Sequence, residues 1–249
     1  MYRNYIFDLY GTLIDIRTDE SSLAFWRKAV SVFAKGKASY SPGELRQAYH
    51  RYVRRALWKE RFRHPTYRHR DIDLLEVFKA LYADKGVAAD DALLRDTAKR
   101  FRKASTVKLR LYDGVLDLLD TLKSRGKHIY LLSNAQESFT IPELTEVGIL
   151  DYFDGILISS QERVCKPSKV FFNRLLEKYH LDPKDCLMIG NDKDSDMRGA
   201  KGVGIDGLYI HQEISPSVES EDEIDAKWKI MDGNVRRIKE LVLLGEEQS

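Results

Sequence analysis

Only two cysteines, Cys165 and Cys186, occur in 249 residues. A single pair of thiols makes no disulfide framework and points to a reducing compartment. No apolar run approaches the ~20 residues that a membrane span needs. The N-terminus passes from Met1 directly into Tyr5-Ile6-Phe7, without the basic region and long apolar stretch of a signal peptide. A cytoplasmic protein with no membrane partner is the expectation. Internal repeats and low-complexity segments are missing too, and the acidic run Glu219-Ser220-Glu221-Asp222-Glu223 reads as a solvated loop. The net charge is only +2. It is unevenly spread: residues 15–105 carry 21 Lys and Arg against 12 Asp and Glu, an excess of +9 that leaves −7 for the rest. Such asymmetry marks either an anion-facing module or a solvated helical surface.

What is present is a soluble, globular composition, 43% hydrophobic and 32% charged. Tyr5-Ile6-Phe7, His128-Ile129-Tyr130-Leu131-Leu132 and Cys186-Leu187-Met188-Ile189 are short and largely apolar, and small or polar residues follow each at once. Strands buried on both faces of a parallel sheet read this way. Gly155 to Ser159 and Leu208-Tyr209-Ile210 predict two more strands, and Trp228-Lys229-Ile230 an edge strand. Between them, Val115–Lys123, Val170–Tyr179 and Asn234–Leu244 carry helical periodicity. Alternating strands and helices predict an α/β fold with a doubly wound parallel sheet. Ligands of such sheets bind at the carboxyl ends of the strands. Asp8, Ser133-Asn134 and Asn191-Asp192 fall at three such ends.

The stretch from about Asp15 to Thr106 shows no clear strand. It predicts four amphipathic helices, near 22–34, 42–62, 71–85 and 90–103. Pro42 stands near a helix start, Gly86 after a stop and Asp90 as a cap. Segments 1–15 and 107–249 are therefore expected to form the core, with residues 16–106 as a helical insert. Within it, Tyr49, Tyr52 and Trp58 are expected to face the interior and the interleaved arginines to face water. A basic–aromatic surface also suits single-stranded nucleic acid, but no nucleic-acid motif accompanies it and none is expected to bind.

Four segments carry chemistry. In Phe7-Asp8-Leu9-Tyr10-Gly11-Thr12-Leu13, a carboxylate ends a buried strand, Gly11 permits an abrupt turn, and the Thr12 hydroxyl can bond back to the loop. Such a carboxylate can attack an electrophile and form a covalent intermediate; the lesser alternative is an Asp that merely caps a turn. Ser133-Asn134 offers a hydroxyl and an amide to an anion. Lys166, before Pro167, can balance charge on nucleophile and substrate. Gly190-Asn191-Asp192-Lys193-Asp194-Ser195-Asp196 enters a helix with Asp192 and Asp196 four apart, on one face. With Asp8 these two can supply oxygen ligands for Mg²⁺; Asp194 reads as an acid complementing the helix dipole.

In this order, the four segments resemble the sequence motifs of the haloacid dehalogenase (HAD) superfamily. The resemblance covers roughly residues 4–15 and 110–232, including Leu111-Tyr112-Asp113-Gly114-Val115, Cys165-Lys166-Pro167 with Phe171, and Met188-Ile189-Gly190-Asn191-Asp192 with Asp196 and Gly199-Ala200. It implies a HAD-like Rossmannoid core with an inserted α-helical cap. It further implies an aspartyl nucleophile at Asp8, Ser133 and Lys166 on a phosphate, and acids at Asp192 and Asp196 around Mg²⁺.

One departure matters. The family's first motif usually has a second Asp two residues after the nucleophile, which protonates the leaving group and then activates water. Tyr10 stands there, and a phenol is a poor general base near neutral pH. Its backbone carbonyl stays available to a metal. Phe-Asp-Leu-Tyr-Gly-Thr-Leu resembles the metal-independent 2-haloacid dehalogenase branch, whereas the retained Asp192 and Asp196 favour a Mg²⁺-dependent phosphatase. The reading is thus a phosphatase of a small anionic metabolite, with catalytic Asp8, Tyr10, Ser133 and Lys166. Gly11, Thr12, Ser133, Asn134 and Lys166 are expected at the substrate, and Asp8, Tyr10, Asp192 and Asp196 at Mg²⁺. The alternatives are a dehalogenase and a HAD-fold binding module with little activity. A monomer or homodimer is expected.

Overall fold

The computed structural model describes residues 2–247, with side chains through residue 242. Met1 and residues 248–249, which fall in the expected core segments, lie outside the described residues. In chain order the elements are β1 (Asn4–Phe7), β2 (Ile14–Thr18), α1 (Leu23–Lys35), α2 (Pro42–Arg63), α3 (Leu74–Asp84), α4 (Asp91–Ser105), β3 (Thr106–Leu111), α5 (Val115–Ser124) and β4 (His128–Ser133). There follow α6 (Glu137–Glu146), β5 (Gly155–Ile158), α7 (Ser159–Glu162), α8 (Lys169–Tyr179), β6 (Cys186–Gly190), α9 (Arg198–Lys201), β7 (Asp206–Ile210), β8 (Trp228–Ile230) and α10 (Arg236–Glu247).

Six strands form a sheet in the order β5-β4-β1-β6-β7-β8, every pair parallel. All four residues of β1 are buried, as are all five of β6. Two apolar layers cover the faces. One gathers Phe7, Leu118, Leu122, Leu131 and Ile189 with α5. The other gathers Ile6, Leu132, Met188, Phe171 and Leu175 with α8. This is the doubly wound sheet that the apolar runs predict, and it brings the ends of β1, β4 and β6 side by side.

The four insert helices pack around an apolar cluster of their own, with Trp26, Phe33, Phe78, Leu81 and Phe101 at its centre. Their starts follow from local chemistry. Ser41 and Glu44 form a reciprocal capping box with Pro42 in the first turn of α2, and Asp90 accepts from the Leu93 amide. Phe139 of α6 joins this cluster.

The stretch expected to lack strands does contain one. β2 pairs antiparallel with β3 in a separate ribbon, Asp15 opposite Arg110 and Ile16 opposite Leu109. The two strands lead into and out of the insert. A second correction concerns α2. Tyr49 is buried and Tyr52 packs partly against the cap interior, but Trp58 is 61% exposed and lies tilted against the exposed Phe62. In the second half of α2, Val53 and Ala56 still pack on the cap cluster and Glu60 is buried, but the face that carries Trp58 and Phe62 is left uncovered. The insert also touches the core through residues 69–74. Cys165 N donates to His69 O at 3.0 Å, and Asp71 N to Arg163 O at 3.2 Å. The Gln136 side chain accepts from Leu74 N and donates to Ile72 O. Among the described residues, no helix is long and apolar enough to cross a membrane.

Candidate active site

β1 ends at Phe7, and Asp8 N still donates to Ile189 O at 2.9 Å, so the Asp8 side chain is fixed by the sheet itself. The chain then turns sharply. Gly11 adopts φ +85°, where a side chain is strained, and a Cβ there would lie 2.3 Å from Asn191 Nδ2. Glycine is required at this point by both backbone and space.

Lys166 is almost wholly buried between two carboxylates. Its Nζ donates to Asp8 Oδ1 at 2.6 Å and lies 2.7 Å from Asp196 Oδ1. Burial works against the ammonium, but Asp196 and Asp8 outweigh it and raise the Lys166 pKa above its ordinary value. Burial pushes the Asp196 carboxyl upward; Lys166 pulls it back, and Asp8 pushes it up again. Gly190 makes room for this pair, since a Cβ there would meet Asp196 Oδ2 at 2.2 Å.

Asn134 braces the lysine. Its Oδ1 accepts from Lys166 N at 2.8 Å and its Nδ2 donates to Lys166 O at 3.1 Å. The amide expected at the substrate is thus engaged with the main chain of Lys166. Ser133, at the end of β4, is 1% exposed, and its hydroxyl has no hydrogen-bond partner among the described residues. An unpaired buried hydroxyl is costly, and at a strand end it suits an incoming anion.

The third strand end separates Asn191 from Asp192. Asp192 caps the following turn, its Oδ1 accepting from the amides of Asp194 and Ser195 at 2.8 and 3.0 Å. Asn191 instead faces the nucleophile. Buried Thr12 lies 3.5 Å from both Asp8 Oδ2 and Asn191 Oδ1. Asn191 Nδ2 donates to Ser215 Oγ, which leaves its oxygen toward Asp8. Among the described residues, no group of three His, Cys, Asp or Glu side chains is placed to hold a metal ion. The oxygens gathered about Thr12 are one carboxylate, Asp8, and one amide, Asn191, while the Asp196 carboxylate is engaged with Lys166. Asp194 pairs with Arg198 at 3.1 Å, on the surface.

Tyr10 is partly buried. Its hydroxyl donates to Glu143 and lies 3.3 Å from Thr140 Oγ1, while the Arg102 guanidinium sits 5.6 Å from its ring centre. Burial and the Glu143 carboxylate raise the phenol pKa well above its ordinary value, with Arg102 opposing. Arg102 also donates to Glu143 Oε1 at 2.6 Å. Neither partner was identified from sequence. Arg102 lies outside the Arg-dense stretch, and Glu143 sits beside Pro142 in a segment with weak helical patterning.

A buried carboxylate on a lysine, an unpaired serine hydroxyl and a threonine bridging to a third strand end match the four motifs. The model of the haloacid dehalogenase-like hydrolases matches residues 2–204. The chain belongs to this family. Among the relatives of this HAD hydrolase, the HAD-hydrolase YfnB of Bacillus subtilis is 25% identical over 221 residues, 87% of each chain. The pyrimidine 5'-nucleotidase PynA of Streptococcus pneumoniae is 24% identical over 238 residues, 88% of this chain and 90% of its own. The solved structure of Bacillus subtilis YfnB, bound to magnesium, superposes with a TM-score of 0.55 at 21% identity, covering 96% of this chain and 98% of that one. It shares the HAD fold, cap included.

Proposed function

We propose that this HAD hydrolase is a magnesium-assisted phosphatase acting on a small phosphate ester, with Asp8 as nucleophile. The observation that carries the reading is the buried Asp8 carboxylate, its Oδ1 on Lys166 and its Oδ2 at 3.5 Å from the Thr12 hydroxyl that also reaches Asn191, with the Ser133 hydroxyl, unpartnered among the described residues, at the neighbouring strand end. Relatives with phosphatase names, among them the nucleotidase PynA, support the choice of a phosphoryl group.

Asp8 Oδ2, the Asn191 amide oxygen and the Tyr10 backbone carbonyl would hold Mg²⁺. These are hard oxygen donors, and the two side-chain oxygens share only a long contact with Thr12 among the described residues. When bound, the ion neutralises charge between nucleophile and substrate. Lys166 orients Asp8 and attracts the phosphate, and the Ser133 hydroxyl donates to a phosphoryl oxygen. The Asp8 oxygen bonds to phosphorus as the ester oxygen departs, and water then cleaves the aspartyl phosphate. The Tyr10 hydroxyl is committed to Glu143, so the leaving group takes its proton from solvent.

A second reading, a 2-haloacid dehalogenase, draws on the same Tyr10 and on Asn191, since displacing halide needs no proton on the leaving group. Phosphate release from an aryl phosphate, with and without Mg²⁺, tests the choice. Release that needs Mg²⁺ and disappears in Asp8→Asn supports the phosphatase. Halide release from a 2-haloacid without metal, and no phosphate release, moves the assignment to the dehalogenase.

A further inference from the structure

A cavity of about 620 Å³ opens between α4 of the cap and α6 of the core, with β3 along its side. That volume falls within the roughly 300–1,000 Å³ of small-molecule sites. Asp8, Ser133, Lys166 and Asp196 are not among its lining residues, and it meets the site described above only through Arg102 and Glu143. Its walls are mostly apolar, from Leu109, Phe139 and Pro142. Ser138 lines it with a buried hydroxyl that has no hydrogen-bond partner among the described residues.

The charges around the cavity favour one ligand class. Arg102 and Glu143 neutralise each other at its base. Among the lining residues, Lys99 and Lys103, both exposed on α4, then stand against Glu146, an excess of one positive charge. An apolar chamber with one spare positive charge and one unpaired hydroxyl complements a molecule with an apolar body and a single anionic head.

We propose that the α4–α6 cleft binds an amphiphilic monocarboxylate, its apolar body against Leu109, Phe139 and Pro142 and its head on Lys99 and Lys103. Ser138 Oγ donates to the ligand. The occupant touches Arg102 and Glu143, which hold Tyr10 two residues from Asp8. Occupancy therefore joins cap to core next to the nucleophile loop, whatever reaction Asp8 performs.

Octanoate is the probe, titrated calorimetrically into the full chain. The expected result is saturable one-to-one binding, at least tenfold weaker for octanol, which lacks the charge, and for acetate, which lacks the body. The double variant Lys99→Glu/Lys103→Glu, at two exposed positions, loses at least tenfold in affinity while its circular dichroism stays unchanged. If the charge reversal unfolds the chain, Lys99→Gln/Lys103→Gln replaces it with the same expectation. No saturable binding, equal binding of octanol, or full affinity in the folded double variant overturns the proposal. So does a dimer in sedimentation whose formation closes the cleft to octanoate.

Discussion

Arg102 of the cap donates to Glu143 of the core at 2.6 Å, and the Glu143 side chain is only 6% exposed. The pair ties the two parts together over the ring of Tyr10. Removing one partner strands a buried charge. Arg102→Met is expected to cost about 3 kcal/mol. Replacing both, Arg102→Met with Glu143→Met, is expected to cost less than either change alone. Denaturant midpoints of the three variants check this.

Tyr10 sets the dependence on the leaving group. Its hydroxyl is spent on Glu143, so wild-type turnover falls steeply as the leaving alcohol becomes more basic. Tyr10→Asp restores a carboxylate able to pass a proton and is expected to raise turnover of an alkyl phosphate on the order of 10²-fold. A series of aryl and alkyl phosphates, run on both proteins, reads the slope. Equal slopes would contradict this role.

Asn191 and Asp192 are neighbours with different work. Asn191→Asp places a second carboxylate beside Asp8 and is expected to tighten Mg²⁺ at least tenfold. Asp192→Ala removes a turn cap, costs about 1 kcal/mol of stability, and leaves Mg²⁺ affinity nearly unchanged. Titration of Mg²⁺ against turnover, beside thermal unfolding, separates the two.

The core was legible because its strands are buried on both faces and read as continuous apolar runs, from Tyr5-Ile6-Phe7 to Cys186–Ile189. The ribbon was not. Ile14–Thr18 is short and adjoins the nucleophile turn, though the alternation in Val107-Lys108-Leu109-Arg110-Leu111 has the period of a half-exposed strand. α6 carries Pro142 inside it and few strong helix formers; packing of Phe139 and Leu144 sustains it instead. At the site, adjacent strand ends carry Asp8 and Ser133, and Lys166 reaches Asp8 from the loop before α8. Which of Asn191 and Asp192 turns toward Asp8 depends on the backbone torsions of one turn, and residue type alone does not fix those. Trp58 shows the converse limit, since an aromatic at helical spacing is buried only where a neighbour covers that stretch of helix.

Asp15 makes the ribbon sensitive to acid. Burial raises its pKa, but Lys108, at 2.7 Å, and Arg110, at 3.0 Å, outweigh it and hold the carboxyl below its ordinary value. A depressed folded value gives stability that is present above the unfolded pKa, about 3.9, and lost as pH falls through the folded one. Asp15→Asn is therefore expected to cost about 1 kcal/mol at neutral pH, with the difference from wild type shrinking toward zero in strong acid. Unfolding midpoints across that range check the sign.

The central claim is that Asp8 becomes covalently phosphorylated. Protein mixed with an aryl phosphate and Mg²⁺, quenched in acid during turnover, is digested with trypsin and weighed by mass spectrometry. One phosphoryl group is expected on the peptide Asn4–Arg17, localised to Asp8 and missing in Asp8→Asn. Undiminished phosphate release by Asp8→Asn, or a phosphoryl group found on another residue of wild type, would contradict it.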